Sequence, residues 1–186
     1  MKCTAMKSVS AVFHPLARAL HWLMAVLILT MLFIGVSMVS DLTPRHTLFL
    51  QLHKATGLAL LVLVLLRIVV RLSLAHPPLP QDIPPLQRWA AGASHLLLYG
   101  LMLAMPLLGW GMLSAGGYPL PLQLPAIAPH DLQLHALLRQ AHGVLGYLLF
   151  ATVLVHLGAA LVHALVRRDG VLRSMWPTAS KVDRCR

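Results

Sequence analysis

Four largely apolar stretches of about twenty residues or more recur along this chain, and that length is what a helix rising 1.5 Å per residue needs to cross a hydrocarbon core of about 30 Å. They cover approximately residues 19–39, 52–74, 89–114 and 139–166. In lipid every backbone polar group must find its partner within its own segment, so such runs read as helices. The expected fold is therefore an all-α integral membrane four-helix bundle. The first apolar run, Ala19 to Ser40, is longer than a signal-peptide core and ends without a small-residue cleavage pattern, so it reads as a retained span. The connections are punctuated by Asp41 with Pro44, by Pro77, Pro78, Pro80, Pro84 and Pro85, and by Gly116, Gly117, Pro119, Pro121, Pro125 and Pro129. None has room for a soluble domain. Residues 1–186 are expected to form a single membrane domain with short termini.

Charge then orients the bundle. Of 186 residues 58% are hydrophobic and only 11% charged, yet the formal net charge is +10. Such a basic balance could signal nucleic acid, but the basic residues lie between the apolar runs and not on one dedicated face, so no nucleic-acid partner is expected. Four spans put both termini on one side. That side collects twelve Lys and Arg: Lys2, Lys7 and Arg18, then Arg67, Arg71 and Arg88, then Arg167, Arg168, Arg173, Lys181, Arg184 and Arg186. The other side has Arg45, Lys54 and Arg139. The positive-inside rule makes both termini cytoplasmic. Cys3 and Cys185 have neither disulfide-framework nor metal-ligand spacing and read as free thiols.

The chemistry is in the histidines. There are eleven, and several fall inside apolar spans, where an ionisable group is costly unless it pairs, binds something or lines a cavity. On the fourth run His135, His142, His156 and His163 are separated by multiples of seven. Fourteen residues turn a helix through about 1400° and raise it about 21 Å, so His142 and His156 share a face at two depths. His53 opens the second run at the outer level and His21 the first run at the inner level, so each offers a partner: His53 for His142, His21 for His156. Two imidazoles from neighbouring helices suit the axial positions of a haem set edge-on between them. Structural zinc would need four ligands converging on one point. Depth alone leaves one choice open, because His163 lies four residues from Arg167 and could face His21 as well as His156 does.

Small residues accompany these histidines. Gly57 is one turn after His53, Gly143 and Gly146 flank the His142 face, and Gly35 lies 14 residues beyond His21. They offer gaps for a porphyrin; their other reading is close helix packing, which small residues favour in membranes. Arg67 lies 14 residues inward of His53. It could pair with a haem propionate or a quinone headgroup, or snorkel to the inner surface. Lys54 and Arg139, next to His53 and one turn before His142, make the outer edge electropositive. Met24, Met31, Met102 and Met105 read as packing or lipid-facing residues, unneeded as ligands.

In the order and spacing of these residues the chain resembles the bacterial cytochrome b561 family of short, four-helix, di-haem membrane cytochromes. The resemblance runs from His21 to Pro177. It rests on His21-Trp22, on His53 with Gly57, Arg67 and Arg71, and on His95-Leu-Leu-Leu-Tyr99 followed by Pro106 and Gly109. It rests also on His142-Gly143 with Gly146-Tyr147, on His156 and His163, and on Leu172-Arg173 with Pro177. The resemblance implies two b-type haems with axial ligands at His21, His53, His142 and His156, and so selects His156 over His163. It further implies a bacterial inner-membrane location and electron transfer to or from membrane quinone. The best-defined activity of the family is oxidation of superoxide at the outer face coupled to ubiquinone reduction. His95 and His163 match recurring histidines near the inner haem, where they could touch a propionate, a quinone or a proton path, or serve structure alone. The connection between the third and fourth runs is apolar and proline-rich, with Asp131 its single formal charge between Arg88 and Arg139, which is a departure from a strongly anion-attracting surface. Two other readings remain at this point: a cytochrome b anchor subunit of a hydrogenase or dehydrogenase, and a haem-free, histidine-rich metal transporter. Six-helix, ascorbate-dependent relatives do not fit the span count.

Overall fold

The computed structural model describes residues 12–40, 45–74 and 84–176. Cys3, Cys185, Asp41, Pro44, Pro77, Pro78, Pro80, Pro177 and the basic residues Lys2, Lys7, Lys181, Arg184 and Arg186 lie outside the described residues. The main elements are four long helices, α1 (Pro15–Ser40), α2 (Arg45–Ser73), α3 (Pro85–Ala115) and α4 (Leu132–Leu161), and a short α5 (Val171–Ser174). All four long helices are long and apolar enough to cross a membrane. There is no strand among the described residues.

The helices outrun the apolar stretches that announce them, and local chemistry explains where they start. Pro85 opens α3, where its missing N–H costs nothing and its fixed φ suits the first turn. Asp131 caps α4, its carboxylate accepting from the backbone N–H groups of Gln133 at 2.7 Å and Leu134 at 3.0 Å. The helix thus begins seven residues ahead of Arg139, at Leu132. The connection between α3 and α4 is pinned across the end of the bundle remote from Pro15, labelled the outer end and the opposite one the inner end: Trp110 Nε1 donates to Pro125 O at 3.0 Å and Ile127 N to Ser114 Oγ at 3.2 Å.

Packing follows chain order. α1 lies on α2, α2 on α3 and α3 on α4, whereas α1 and α4 meet sparingly, as where the rings of Phe33 and Phe150 approach to 6.5 Å. Among the described residues no Cα of α2 comes within 8 Å of a Cα of α4. The bundle is closed instead at its inner end. Beyond α4 a π-helical turn (Val162–Arg167) leads into Arg168 and Gly170, both left-handed (φ 51° and 79°), which turn the chain back over α1. There Trp22 Nε1 donates to Met175 O at 2.8 Å, Arg18 to Trp176 O at 2.8 Å and Phe13 N to Ser174 O at 3.2 Å. The Trp22 and Trp176 rings meet edge to face at 5.6 Å.

The buried core is small and sits at mid-height: Met24, Leu61 and Val64 in one cluster, Leu98, Leu101 and Leu149 in the other. Large apolar side chains are instead exposed around the outside of the helices, Phe33 by 64%, Val62 by 60% and Leu154 by 51%. In water such a surface would aggregate; lipid covers it.

Candidate functional site

Above and below that core lie two polar levels, each drawing one residue from every long helix. The outer level holds Gly35 (α1), His53 (α2), Gly109 (α3) and His142 (α4); the inner level holds His21, Arg67, His95 and His156. On every helix the two members are 14 residues apart, so the helical period sets both levels at once.

At the outer level the His53 and His142 rings face each other across 6.0 Å at an interplanar angle of 67°. Nδ1 of His53 is buried without a hydrogen-bond partner, a condition that costs about 1–3 kcal/mol unless something else satisfies it. The glycines keep the space beside the rings free of side chains: a Cβ on Gly35 would stand 3.6 Å from His53 Cε1, and one on Gly109 3.4 Å from His142 Cε1. Gly57 faces Met31 and Gly146 faces Met105, so both serve close packing, while Gly143 looks into open space.

At the inner level the rings of His21 and His156 are 6.4 Å apart, and His95 lies 5.7 Å from His156. Arg67 donates to Tyr99 Oη at 3.1 Å and to Ala17 O at 3.3 Å, and its Nη2 lies 3.2 Å from His21 Nδ1. It therefore turns inward to the histidines. Arg67, Arg71 and Tyr99 also line a recess at the inner end with Ala17, His14 and Met175. Tyr99 had a sequence signal that could have been read as a role: it follows His95 by one helical turn and so shares its face.

His163 is engaged elsewhere. Its Nδ1 lies 2.5 Å from Asp169 Oδ2, its Nε2 is 3.3 Å from Gln87 Nε2, and Arg167 donates to Gln87 Oε1. Partial burial alone would raise the Asp169 carboxyl, but hydrogen bonds from His163 and Val171 N–H, with the charges of His163 and Arg167, hold it below the usual carboxylate range. Of the two imidazoles that depth left open as partners for His21, it is His156 that faces it. At the outer end Lys54 Nζ donates to Pro119 O at 3.4 Å, and Arg139 is exposed on α4.

Two imidazoles that share one metal, each nitrogen at about 2 Å, put their ring centres about 6 Å apart. Both facing pairs have this separation, and the outer pair adds the orphaned His53 nitrogen and glycine-lined flanks, so the residues present fit a flat metal macrocycle. Among the described residues no three His, Cys, Asp or Glu side chains group closely enough to hold a bare metal ion.

Comparison with known proteins agrees with this chemistry. Residues 12–178 match the family model of prokaryotic cytochrome b561. The chain is 27% identical over 173 residues to cytochrome b561 homolog 1 of Escherichia coli (strain K12), covering 85% of this chain and 93% of that one. It is 28% identical over 163 residues to a probable superoxide oxidase, CybB, of Yersinia pestis, with 85% and 92% covered. It is 30% identical over 170 residues to cytochrome b561 homolog 2 of Escherichia coli (strain K12), with 88% and 90% covered. The chain belongs to the prokaryotic cytochrome b561 family, membrane proteins that carry b-type haem and transfer electrons.

Proposed function

We propose that this protein is a di-haem cytochrome b of the bacterial inner membrane, with both termini cytoplasmic, that moves electrons between an outer donor and membrane quinone. The observation that carries this reading is the pair of facing imidazole couples at two levels of one bundle, His53 with His142 and His21 with His156. These four histidines are the residues that would hold the two haems. Haem b, when bound, supplies one-electron redox chemistry. The protein supplies position, axial field and a dry interval between the levels, built from Met24, Leu61 and Leu149. Held by two imidazoles each, the haems would supply electron exchange with donors and acceptors and not ligation of a substrate.

At the inner end Arg67, Arg71 and Tyr99 give the recess hydrogen-bond donors suited to a propionate or to the oxygens of ubiquinone. At the outer end Lys54 and Arg139 give a modest positive field that favours a small anion. The superoxide oxidase relative supports superoxide as that donor. Two superoxide ions would then give two dioxygen molecules while ubiquinone takes two electrons and two protons to become ubiquinol.

The test is reduced-minus-oxidised absorption with pyridine haemochrome quantification on purified protein. Two b haems are expected in the wild type, one in His156→Ala and two in His163→Ala. Loss confined to His163→Ala would move the inner ligand, and a colourless wild type would refute the reading.

A further inference from the structure

The outer level rests on a layer whose chemistry the inner level lacks. Four residues toward the core, or about 6 Å, α1 and α3 carry Met31 and Met105, while α2 and α4 carry Gly57 and Gly146. The thioethers reach the glycines of the neighbouring helices. A Cβ on Gly57 would meet Met31 Cε at 3.6 Å, and one on Gly146 would meet Met105 Cε at 3.5 Å. The side chains of these four positions are thus two thioethers, one from each helical hairpin. At the inner level the same step toward the core reaches Ala25, Leu63, Tyr99 and Thr152, with neither sulfur nor glycine. Helix periodicity sets where such layers fall and leaves their chemistry free.

The packing order places the thioethers relative to the outer imidazoles. Among the described residues neither α1 and α3 nor α2 and α4 pack on each other, so each of these pairs faces across a diagonal of the bundle. His53 and His142 span the α2–α4 diagonal. A flat group gripped between them stands across that line and extends toward α1 and α3, where Gly35 and Gly109 leave room. Met31 and Met105 lie one turn inward on those same two helices, and so stand under its inner edge from opposite sides. Both are half-buried, and Met105 packs onto the cluster of Leu98, Leu101 and Leu149. An aliphatic side chain of similar size would fill this space. Sulfur adds polarisability and a favourable contact with the edge of an aromatic ring.

We propose that Met31 and Met105 form a paired thioether floor for the outer haem and that their sulfur lowers its redox potential without touching that of the inner one. The proposal rests on the haem reading above and deepens it. A polarisable neighbour stabilises the positive charge of the oxidised form more than an aliphatic one does, and the local dielectric is one of the levers by which a protein tunes haem. Lowering the outer potential alone biases electrons toward the inner level. Met31 and Met105 are thus positioning and tuning residues.

The test is a potentiometric titration of the full chain in detergent, followed by absorption, with haem content from the pyridine haemochrome. The outer haem is the component lost in His53→Ala, or in His142→Ala if that variant does not fold. Met31→Leu and Met105→Leu should each raise the midpoint of this component and leave the other unchanged, and the double variant should raise it further. Met102→Leu, on α3 between the two core clusters, should shift neither. Selenomethionine keeps the shape of methionine and is more polarisable, so labelled wild type should show a lower outer midpoint, and labelling the double variant should change nothing. An outer midpoint indifferent to selenium, or an inner midpoint that moves with the outer, would overturn the proposal and leave the haem reading standing. A wild type without haem, or His53→Ala retaining both haems, would refute the haem reading and the proposal with it.

Discussion

Gly109 lies directly against the imidazole of His142: a Cβ there would stand 3.4 Å from Cε1. A single methyl would just fit; a branched side chain would not, and it would occupy the flank of the ring where a flat group has to lie. On the proposed two-haem reading, Gly109→Val should lose the outer haem and keep the inner, read as a halved haem-to-protein ratio. Gly92→Val, on the same helix with nothing within 4 Å of the added Cβ, should keep both.

Arg67 ties three helices together through Ala17 O, Tyr99 Oη and His21 Nδ1. Hydrogen bonds to a charged group are worth about 1.5–3 kcal/mol each at best, and this arginine is half-buried, so Arg67→Met should cost on the order of 2–3 kcal/mol. Thermal unfolding in detergent should show a midpoint lowered by about 5 °C or more. Tyr99→Phe, which removes one partner, should cost about 1 kcal/mol.

Trp22→Phe keeps an aromatic ring against Trp176 but removes the 2.8 Å donation to Met175 O. A loss of about 1 kcal/mol makes the turn over α1 open roughly five times more often. Trypsin cleavage after Arg173 should accelerate by about that factor, with little change in cleavage elsewhere.

Asp169 has its acidity strengthened in the folded state by His163 and Val171 N–H, against the opposing effect of partial burial. A carboxyl with a depressed folded pKa stabilises the fold above its unfolded pKa of about 4, and that contribution is lost as the pH falls through the lower folded value. Acidification should thus loosen the inner end only below the ordinary carboxylate range, followed by the fluorescence of Trp22 and Trp176. Asp169→Asn should lack this transition.

If superoxide is the donor, Lys54 and Arg139 steer it electrostatically, and steering between exposed charges fades with salt. Lys54→Gln with Arg139→Gln should slow superoxide-driven haem reduction by about tenfold at low ionic strength and flatten its salt dependence. An unchanged rate would exclude steering by these two residues. The donation of Lys54 to Pro119 O already limits its share.

The spans were legible because length and apolarity decide them, and the two levels were legible on α4 because four histidines repeat on one face. On α2 the same interval linked His53 to Arg67, and on α1 it linked His21 to Gly35. On α3 it passed unnoticed from His95 to Gly109, since a glycine in a membrane helix signals nothing by itself until its neighbour is known. The preference for His156 over His163 as the partner facing His21 could not come from depth, because it depends on Asp169 and Gln87 engaging the His163 ring. The inner closure was illegible for another reason. Met175 and Trp176 contribute backbone carbonyls, which every residue has, and α5 is too short to carry a periodic pattern.

That closure sets an order of assembly. The groups that fasten α1, at Phe13, Arg18 and Trp22, are made before α1 is complete; the carbonyls they need, at Ser174, Met175 and Trp176, are made only after α4. While the chain is threaded into the bilayer from its N-terminus, the side between α1 and α4 has no fastening, and it gains one only after the fourth helix has entered. A planar group can therefore be admitted sideways during biosynthesis and be shut in by the short segment that follows the fourth helix.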